Sequence, residues 1–198
     1  MANIEIVLGD ITEQDVDAIV NAAHEALMGG GGVDGAIHRK AGYGLHAECK
    51  AIPETEPGVR CKYGEAHITS GCNLKAKYII HTVAPRFVGS ASHGRILRWQ
   101  DTGLGRILYE NAKPGTDDDL ANCYRNCLRI AAEKELKSIA FCSLGTGGHS
   151  YPIEIACPIA IKTVLAEVGK TSLELVRFVT FSQSDYDVYQ KTYEELKP

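Results

Sequence analysis

The chain has 198 residues, 44% hydrophobic and 23% charged, which suits one domain with a sizeable core and leaves too little for two full ones. A net charge of −4 gives no basic surplus, which argues against a general nucleic-acid binder while leaving room for a local basic pocket. No apolar run approaches the ~18 residues of a bilayer span, and the first eight residues lack a basic region and a long apolar stretch, so no membrane segment and no signal peptide are expected.

In chain order, residues 4–8 read as a strand followed by the turn-like Gly9-Asp10, and residues 16–20 as a second, apolar strand. Residues 33–40 open a helix, and helical spacing resumes over 43–52. Residues 66–70 and 78–83 read as strands joined by a Gly71-Cys72-Asn73 turn, close enough to pair as a hairpin. Residues 117–134 carry Leu120, Cys123, Tyr124, Cys127, Leu128 and Ala131 at helical spacing behind three acids. A strand over 138–144 leads into Gly145-Thr146-Gly147-Gly148-His149-Ser150. Pro152 suits the first turn of the next helix, and Pro158 within its pattern predicts a kink or a later start. Residues 175–181 form a last strand and 184–196 a last helix, with Ser184 as the expected cap. Strands and helices intermix throughout, so the expected fold is α/β: a three-layer α/β/α sandwich around a mixed sheet. One domain over 1–198 is expected, with an excursion at about 86–116 that has little periodicity and carries Arg95, Arg98, Trp99 and Arg106. A loop of that length is either a surface excursion pinned by Trp99 or a lid or partner-binding element.

The seven cysteines are odd in number and contain no CxxC pair. Reduced, mostly buried thiols in a cytoplasmic protein are the expected state, and no metal site is expected.

Two glycine-rich loops, 29–32 and 145–148, each follow a strand and precede a helix. Glycine is costly in regular structure, so four in a row suggest a backbone that something approaches closely. Free N–H groups at a helix start suit an anion such as phosphate. Two such loops facing each other at the carboxyl end of a sheet would grip a diphosphate from both sides. GxxxxGK[ST] is absent, which excludes a P-loop. Gly30, Gly32 and Gly35 satisfy GxGxxG, but residues 21–28 separate them from the preceding strand, and no strand precedes Glu54, so the dinucleotide-fold reading fails.

Several stretches together resemble the macrodomain family. They are Gly9-Asp10-Ile11-Thr12, Asp17-Ala18-Ile19-Val20-Asn21-Ala22-Ala23, the run from Gly29 to His38, Gly64 to Thr69, Lys77 to Val83, Asn122-Cys123-Tyr124, and Thr146-Gly147 with Tyr151-Pro152. The resemblance implies an ADP-ribose pocket. Asp10 would accept from the adenine amino group, with the Ile11 backbone placing the ring. Phe181 would stack on adenine, unless it is a core residue. Gly30, Gly31, Gly32 and Val33, with Gly145, Thr146, Gly147, Gly148, His149 and Ser150, would wrap the diphosphate and the far ribose. Asn21 and Asp34 would sit beside that ribose, Asp34 orienting or activating a water or else serving only as a helix-start charge.

The chain departs from the family's hydrolase class at His24, where a second Asn is usual, and at His149 and Ser150, where Phe or Tyr and Gly are usual. His24 would either line the pocket or take part in the reaction, so Asn21, His24 and Asp34 form the expected catalytic set. The leading expectation is hydrolysis of an ADP-ribosyl ester, either mono-ADP-ribose on acidic protein side chains or O-acetyl-ADP-ribose, with no cofactor. The competing class is a reader module that binds ADP-ribose without turnover. A third is a scaffold using the arginines of the excursion. The expected partners are ADP-ribose or an ADP-ribosylated protein, with no nucleic acid and no membrane.

Overall fold

A computed structural model describes residues 2–87 and 116–198. Most of the excursion expected at 86–116 lies outside the described residues. Among the described residues six strands form one sheet: β1 (Asn3–Leu8), β2 (Ala18–Ala22), β3 (Ala66–Ser70), β4 (Tyr78–Thr82), β5 (Ser138–Cys142) and β6 (Leu175–Thr180). Their order is β1-β6-β5-β2-β4-β3. Every pair is parallel except β3 with β4, the expected hairpin. The sheet is therefore mixed. β2, β4 and β5 read as almost unbroken apolar runs because they lie centrally and are covered on both faces, as parallel strands are.

Among the described residues five α-helices cover the sheet: α1 (Gly32–Ala41), α2 (Tyr43–Ala51), α3 (Asp117–Glu133), α4 (Ile153–Glu167) and α5 (Gln183–Leu196). Strand alternation assigns them to layers. Val20, Phe141 and Phe178 lie on one face, in register. There Tyr124 of α3 and Tyr189 of α5 meet the phenylalanine rings at centroid distances of 5.1 and 5.4 Å, and α4 packs between α3 and α5. Asn21 and His81 lie on the opposite face, against α1 and α2. The three-layer α/β/α arrangement follows. No helix among the described residues is long and apolar enough to cross a membrane.

Local differences from the expected elements have physical causes. β2 starts at Ala18 rather than at residue 16, because Asp17 turns its side chain to a different task. The cap of α5 is Ser182, which accepts from the Asp185 amide at 3.1 Å, so the cap is not Ser184. α4 begins at Ile153 and runs through Pro158 without a later start; a proline there forgoes the one bond its missing N–H would have made to Glu154. Thr116 and Asp119 close a capping box at the front of α3.

Asp17 sets the register of the central strands. Its Oδ2 accepts from the backbone amides of Lys137 and Ser138 at 2.8 and 3.0 Å, and its Oδ1 from Lys77 Nζ at 2.7 Å. Its own carbonyl accepts from the Tyr78 amide at 2.9 Å. The starts of β2, β4 and β5 thus meet at one residue. Burial would raise the Asp17 carboxyl, but the Lys77 ammonium and the two amides outweigh it and hold the group below its ordinary value. A carboxyl depressed in the fold adds stability that is present above its unfolded value of ~3.9 and lost as pH falls through its folded value. Asp17→Ala is expected to lower stability by about 2 kcal/mol in urea titrations at neutral pH. Asp17→Asn is expected to flatten the fall in stability below about pH 4.

Candidate functional site

The parallel strands finish along one rim, and the segments that follow them enclose a cavity of about 930 Å³. Gly9, Asp10 and Ile11 come after β1, Ala23 and His24 after β2, Ala84 and Arg86 after β4, Ser143 to His149 after β5 with Leu144 set back in the core, and Phe181 after β6. Ligands of open α/β sheets bind outside the carboxyl ends of the strands, and this volume falls in the range of small-molecule sites.

One wall is the first glycine loop. Gly29 and Gly32 have φ of +82° and +57°, in the left-handed region. A Cβ on Gly35 would run into the Gly30 carbonyl oxygen, so the first turn of α1 packs tightly on its own loop. Gly31 caps α1 with no side-chain hydrogen bond among the described residues, which leaves the opening amides of the helix without a side-chain cap. Those amides and the helix dipole favour an anion at this wall.

The second loop forms the opposite wall. Gly145 is left-handed at φ +82°, and its carbonyl accepts from the Tyr151 amide at 3.0 Å. Gly31, Gly147 and Gly148 line the cavity, and a Cβ on any of them would meet nothing within 4 Å. Protein packing therefore does not require glycine at these three positions; a ligand lying close to the backbone would. Ser150, at φ +55°, donates its amide to Gly147 and is not among the cavity-lining residues.

Between the walls stands Asp34, 4% exposed, with Oδ2 buried and without a hydrogen-bond partner among the described residues. Its Oδ1 accepts from Asn21 Nδ2 at 2.8 Å. Asn21 is fully buried and supports Asp34 from behind, not forming part of the lining. His38, one turn along α1, brings Nε2 to 3.5 Å from Asp34 Oδ1. Burial pushes the His38 imidazole below its usual value, against the opposing effect of Asp34.

His24 lines the cavity and is exposed. Its Nδ1 accepts from the Ala26 amide at 3.2 Å, so the neutral ring carries its proton on Nε2. His149 has the opposite tautomer. Its Nδ1 is 2.6 Å from the Ala84 carbonyl oxygen, which can only accept, so Nε2 is bare. Burial lowers the His149 imidazole against the opposing effect of the Ala84 hydrogen bond, and Arg86 and His24 add to the lowering. The cavity is therefore lined by one imidazole N–H donor and one imidazole acceptor.

At the other end, Asp10 Oδ1 accepts from the Thr12 amide and hydroxyl, both at 2.8 Å. Phe181 is 85% exposed, so it is a ring at the cavity edge and not a core residue. Arg39, Arg86 and Asp185 also line the cavity. None of these three has a sequence signal of its own; Arg39 lies just past the glycine motif and Asp185 in the first turn of α5.

His38, Cys49 and His81 bring three metal-ligating atoms within 4.8 Å of one another. Hydrogen bonds already engage both ring nitrogens of His81, with Asn21 Nδ2 at 3.1 Å and Thr69 Oγ1 at 2.9 Å. Burial pushes the Cys49 thiol up to about 12. Thiolate ligation would have to overcome both, so the group reads as hydrogen-bonded packing.

The macro domain family model matches residues 20–98 and 104–160, which include both glycine loops. The chain belongs to the macrodomain family. A macro domain-containing protein of Caldanaerobacter subterraneus subsp. tengcongensis is 42% identical over 193 residues, covering 98% of this chain and 97% of that one. The macrodomain of Oceanobacillus iheyensis, solved with ADP, superposes with a TM-score of 0.80 at 39% identity, over 98% of this chain and 92% of that chain. An ADP-ribose glycohydrolase of Xenopus laevis is 38% identical over 192 residues, which is 96% of this macrodomain and 40% of that longer protein.

The glycine contacts predict opposite outcomes for two alanine substitutions. Gly35→Ala is expected to cost on the order of 3 kcal/mol through its clash with Gly30, and Gly148→Ala less than about 0.5 kcal/mol, both read from thermal unfolding.

Proposed function

We propose that this macrodomain binds ADP-ribose and hydrolyses an ADP-ribosyl ester, releasing mono-ADP-ribose from acidic side chains of proteins or acetate from O-acetyl-ADP-ribose. The observation that carries this reading is the Asp34 carboxylate. Asn21 holds it through Oδ1, its Oδ2 is unpaired, and it stands between two walls whose backbone suits a diphosphate. The glycohydrolase relative and the ADP-bearing structural neighbour support the same ligand class.

The residues divide the work by chemistry. Phe181 offers a π-face for adenine and Asp10 an acceptor for its amino group. Residues 30–33 and 145–148 offer backbone amides to the diphosphate, with Arg39 and Arg86 adding positive charge. Binding the diphosphate holds the far ribose against Asp34, and this positioning supplies much of the rate. Asp34 Oδ2 then orients a water and accepts a proton as the water attacks the ester. The ester bond breaks, one water is consumed, and a carboxylate and a free ribose hydroxyl result. His24, with its proton on Nε2, provides a donor toward the ribose, as an amide N–H would. Free thiols at all seven cysteines are compatible with a reducing, cytoplasmic setting.

A reader module is the second reading, and His24 favours it. With Nδ1 occupied by the Ala26 amide, the neutral ring has no lone pair left to act as a base. One comparison separates the two. Wild type and Asp34→Ala are incubated with a protein mono-ADP-ribosylated on glutamate and with O-acetyl-ADP-ribose, and ADP-ribose affinity is measured by calorimetry. Release by wild type that falls on the order of a hundredfold in Asp34→Ala, with affinity kept, is the expected result. Binding without release at high protein concentration leaves the reader module. No binding at millimolar ADP-ribose removes both readings. Gly148→Val is expected to weaken ADP-ribose affinity about tenfold or more, because its side chain occupies the space assigned to the diphosphate.

A further inference from the structure

A line of hydrogen bonds runs from Asp34 away from the cavity and across the sheet. Asn21 Nδ2 lies 2.8 Å from Asp34 Oδ1 and 3.1 Å from His81 Nδ1. His81 Nε2 lies 2.9 Å from Thr69 Oγ1, and Thr69 donates its own proton to the Ser70 carbonyl at 3.2 Å. Asn21 and His81 are neighbours in register on β2 and β4, and both are fully buried.

The two ends of this line fix the direction of every bond. A carboxylate only accepts, so Asn21 must turn its amide nitrogen toward Asp34. The second proton on that nitrogen then meets His81 Nδ1, which must be bare. A neutral imidazole bare at Nδ1 carries its proton on Nε2, and Thr69 has a lone pair to receive it. Burial above all, with help from His38 and His67, pushes His81 down to about 3, so the ring stays neutral across the physiological range. The other tautomer would set N–H against N–H. The Asn21 amide would then turn over and present Oδ1 to Asp34 Oδ1, and two acceptors 2.8 Å apart repel.

We propose that His81 is a positioning residue: its Nε2–H tautomer fixes the Asn21 amide, and the Asn21 amide fixes the Asp34 carboxylate at the cavity wall. The consequence for rate rests on the hydrolase reading; the hydrogen-bond direction does not. His81 is not among the cavity-lining residues, and its hydrogen-bonded route to Asp34 runs through Asn21.

Two amide substitutions separate the ring's two nitrogens. His81→Asn places a carbonyl oxygen where Nδ1 stood and keeps the acceptor for Asn21. His81→Gln places its amide nearer Nε2, keeps a donor for Thr69 and loses the acceptor beside Asn21. With a protein mono-ADP-ribosylated on glutamate as substrate, kcat is expected within about threefold of wild type for His81→Asn and lower on the order of a hundredfold for His81→Gln, with KM and ADP-ribose affinity unchanged in both. An equal loss in the two variants, or a loss confined to KM, overturns the proposal. If either variant fails to fold, Thr69→Val replaces the pair. It removes the acceptor for the Nε2 proton at nearly equal volume and is expected to lower kcat about tenfold, with Thr69→Ser restoring it; an unchanged kcat overturns the proposal. Imidazole ¹⁵N shifts of wild type read the tautomer without turnover. His81 should show a protonated Nε2 and a bare Nδ1 from about pH 5 to 8, and a protonated Nδ1 overturns the proposal whatever the activity. Failure of wild type to release ADP-ribose overturns the hydrolase reading and the rate effect with it, and the spectrum then decides whether the tautomer lock stands.

Discussion

Asn21 ends the buried part of β2 with a side chain that must find partners away from water, and the one it finds at 2.8 Å is Asp34. An unpaired buried amide would cost about 1–3 kcal/mol, so this bond constrains more than two residues. Asp34 lies in the first turn of α1, and the glycine loop precedes that turn. Tying Asp34 to the strand therefore sets where the helix starts and where its open amides point. The close approach of Gly35 to Gly30 pins the same turn from the other side. The shape of the first glycine wall is thus a product of sheet geometry, transmitted through one side chain.

β2 has a polar anchor at both ends. Asp17 gathers the starts of β4 and β5 at one end, and Asn21 reaches His81 and Asp34 at the other. Between them Ala18, Ile19 and Val20 are completely buried. A slip of one residue would turn Asn21 into the aromatic face beside Phe141 and Val20 into the polar one. Stability at the Asp17 end and the placement of Asp34 at the Asn21 end are consequently two readouts of the same register.

The α/β class was legible because β2, β4 and β5 are compact apolar runs and α3 has clear helical spacing. The two loops were legible because clustered glycines, four successive in 29–32 and three within 145–148, are costly inside a helix or strand. Boundaries were less so. Val16 and Asp17 look like the start of a strand, yet Asp17 is spent on Lys137, Ser138 and Lys77, which are 60 and 120 residues away. Ser184 is the cap expected from sequence, and only the backbone shows that Ser182 faces the Asp185 amide. His81 reads as a polar residue in an apolar strand. Its partner Thr69 arrives from a different strand, and no local pattern links them. Arg86 and Asp185 reach the cavity from separate elements, after β4 and at the start of α5, with no local pattern linking them. Sequence identifies His24 as unusual, but the bond from the Ala26 amide is what decides which nitrogen carries its proton.

The order of the strands has a consequence for synthesis. β6, made last of the six, lies between β1 and β5, and its pairing with β1 joins segments about 170 residues apart. The cavity draws its walls from Gly9 at one extreme and Asp185 at the other. A ribosome-bound chain that has not yet emitted β6 has neither the Phe181 edge nor a partner for β1. Ligand cannot assist folding until β6 and the start of α5 are free, so the early stages must rely on contacts such as the β3–β4 hairpin and the capped helix α3.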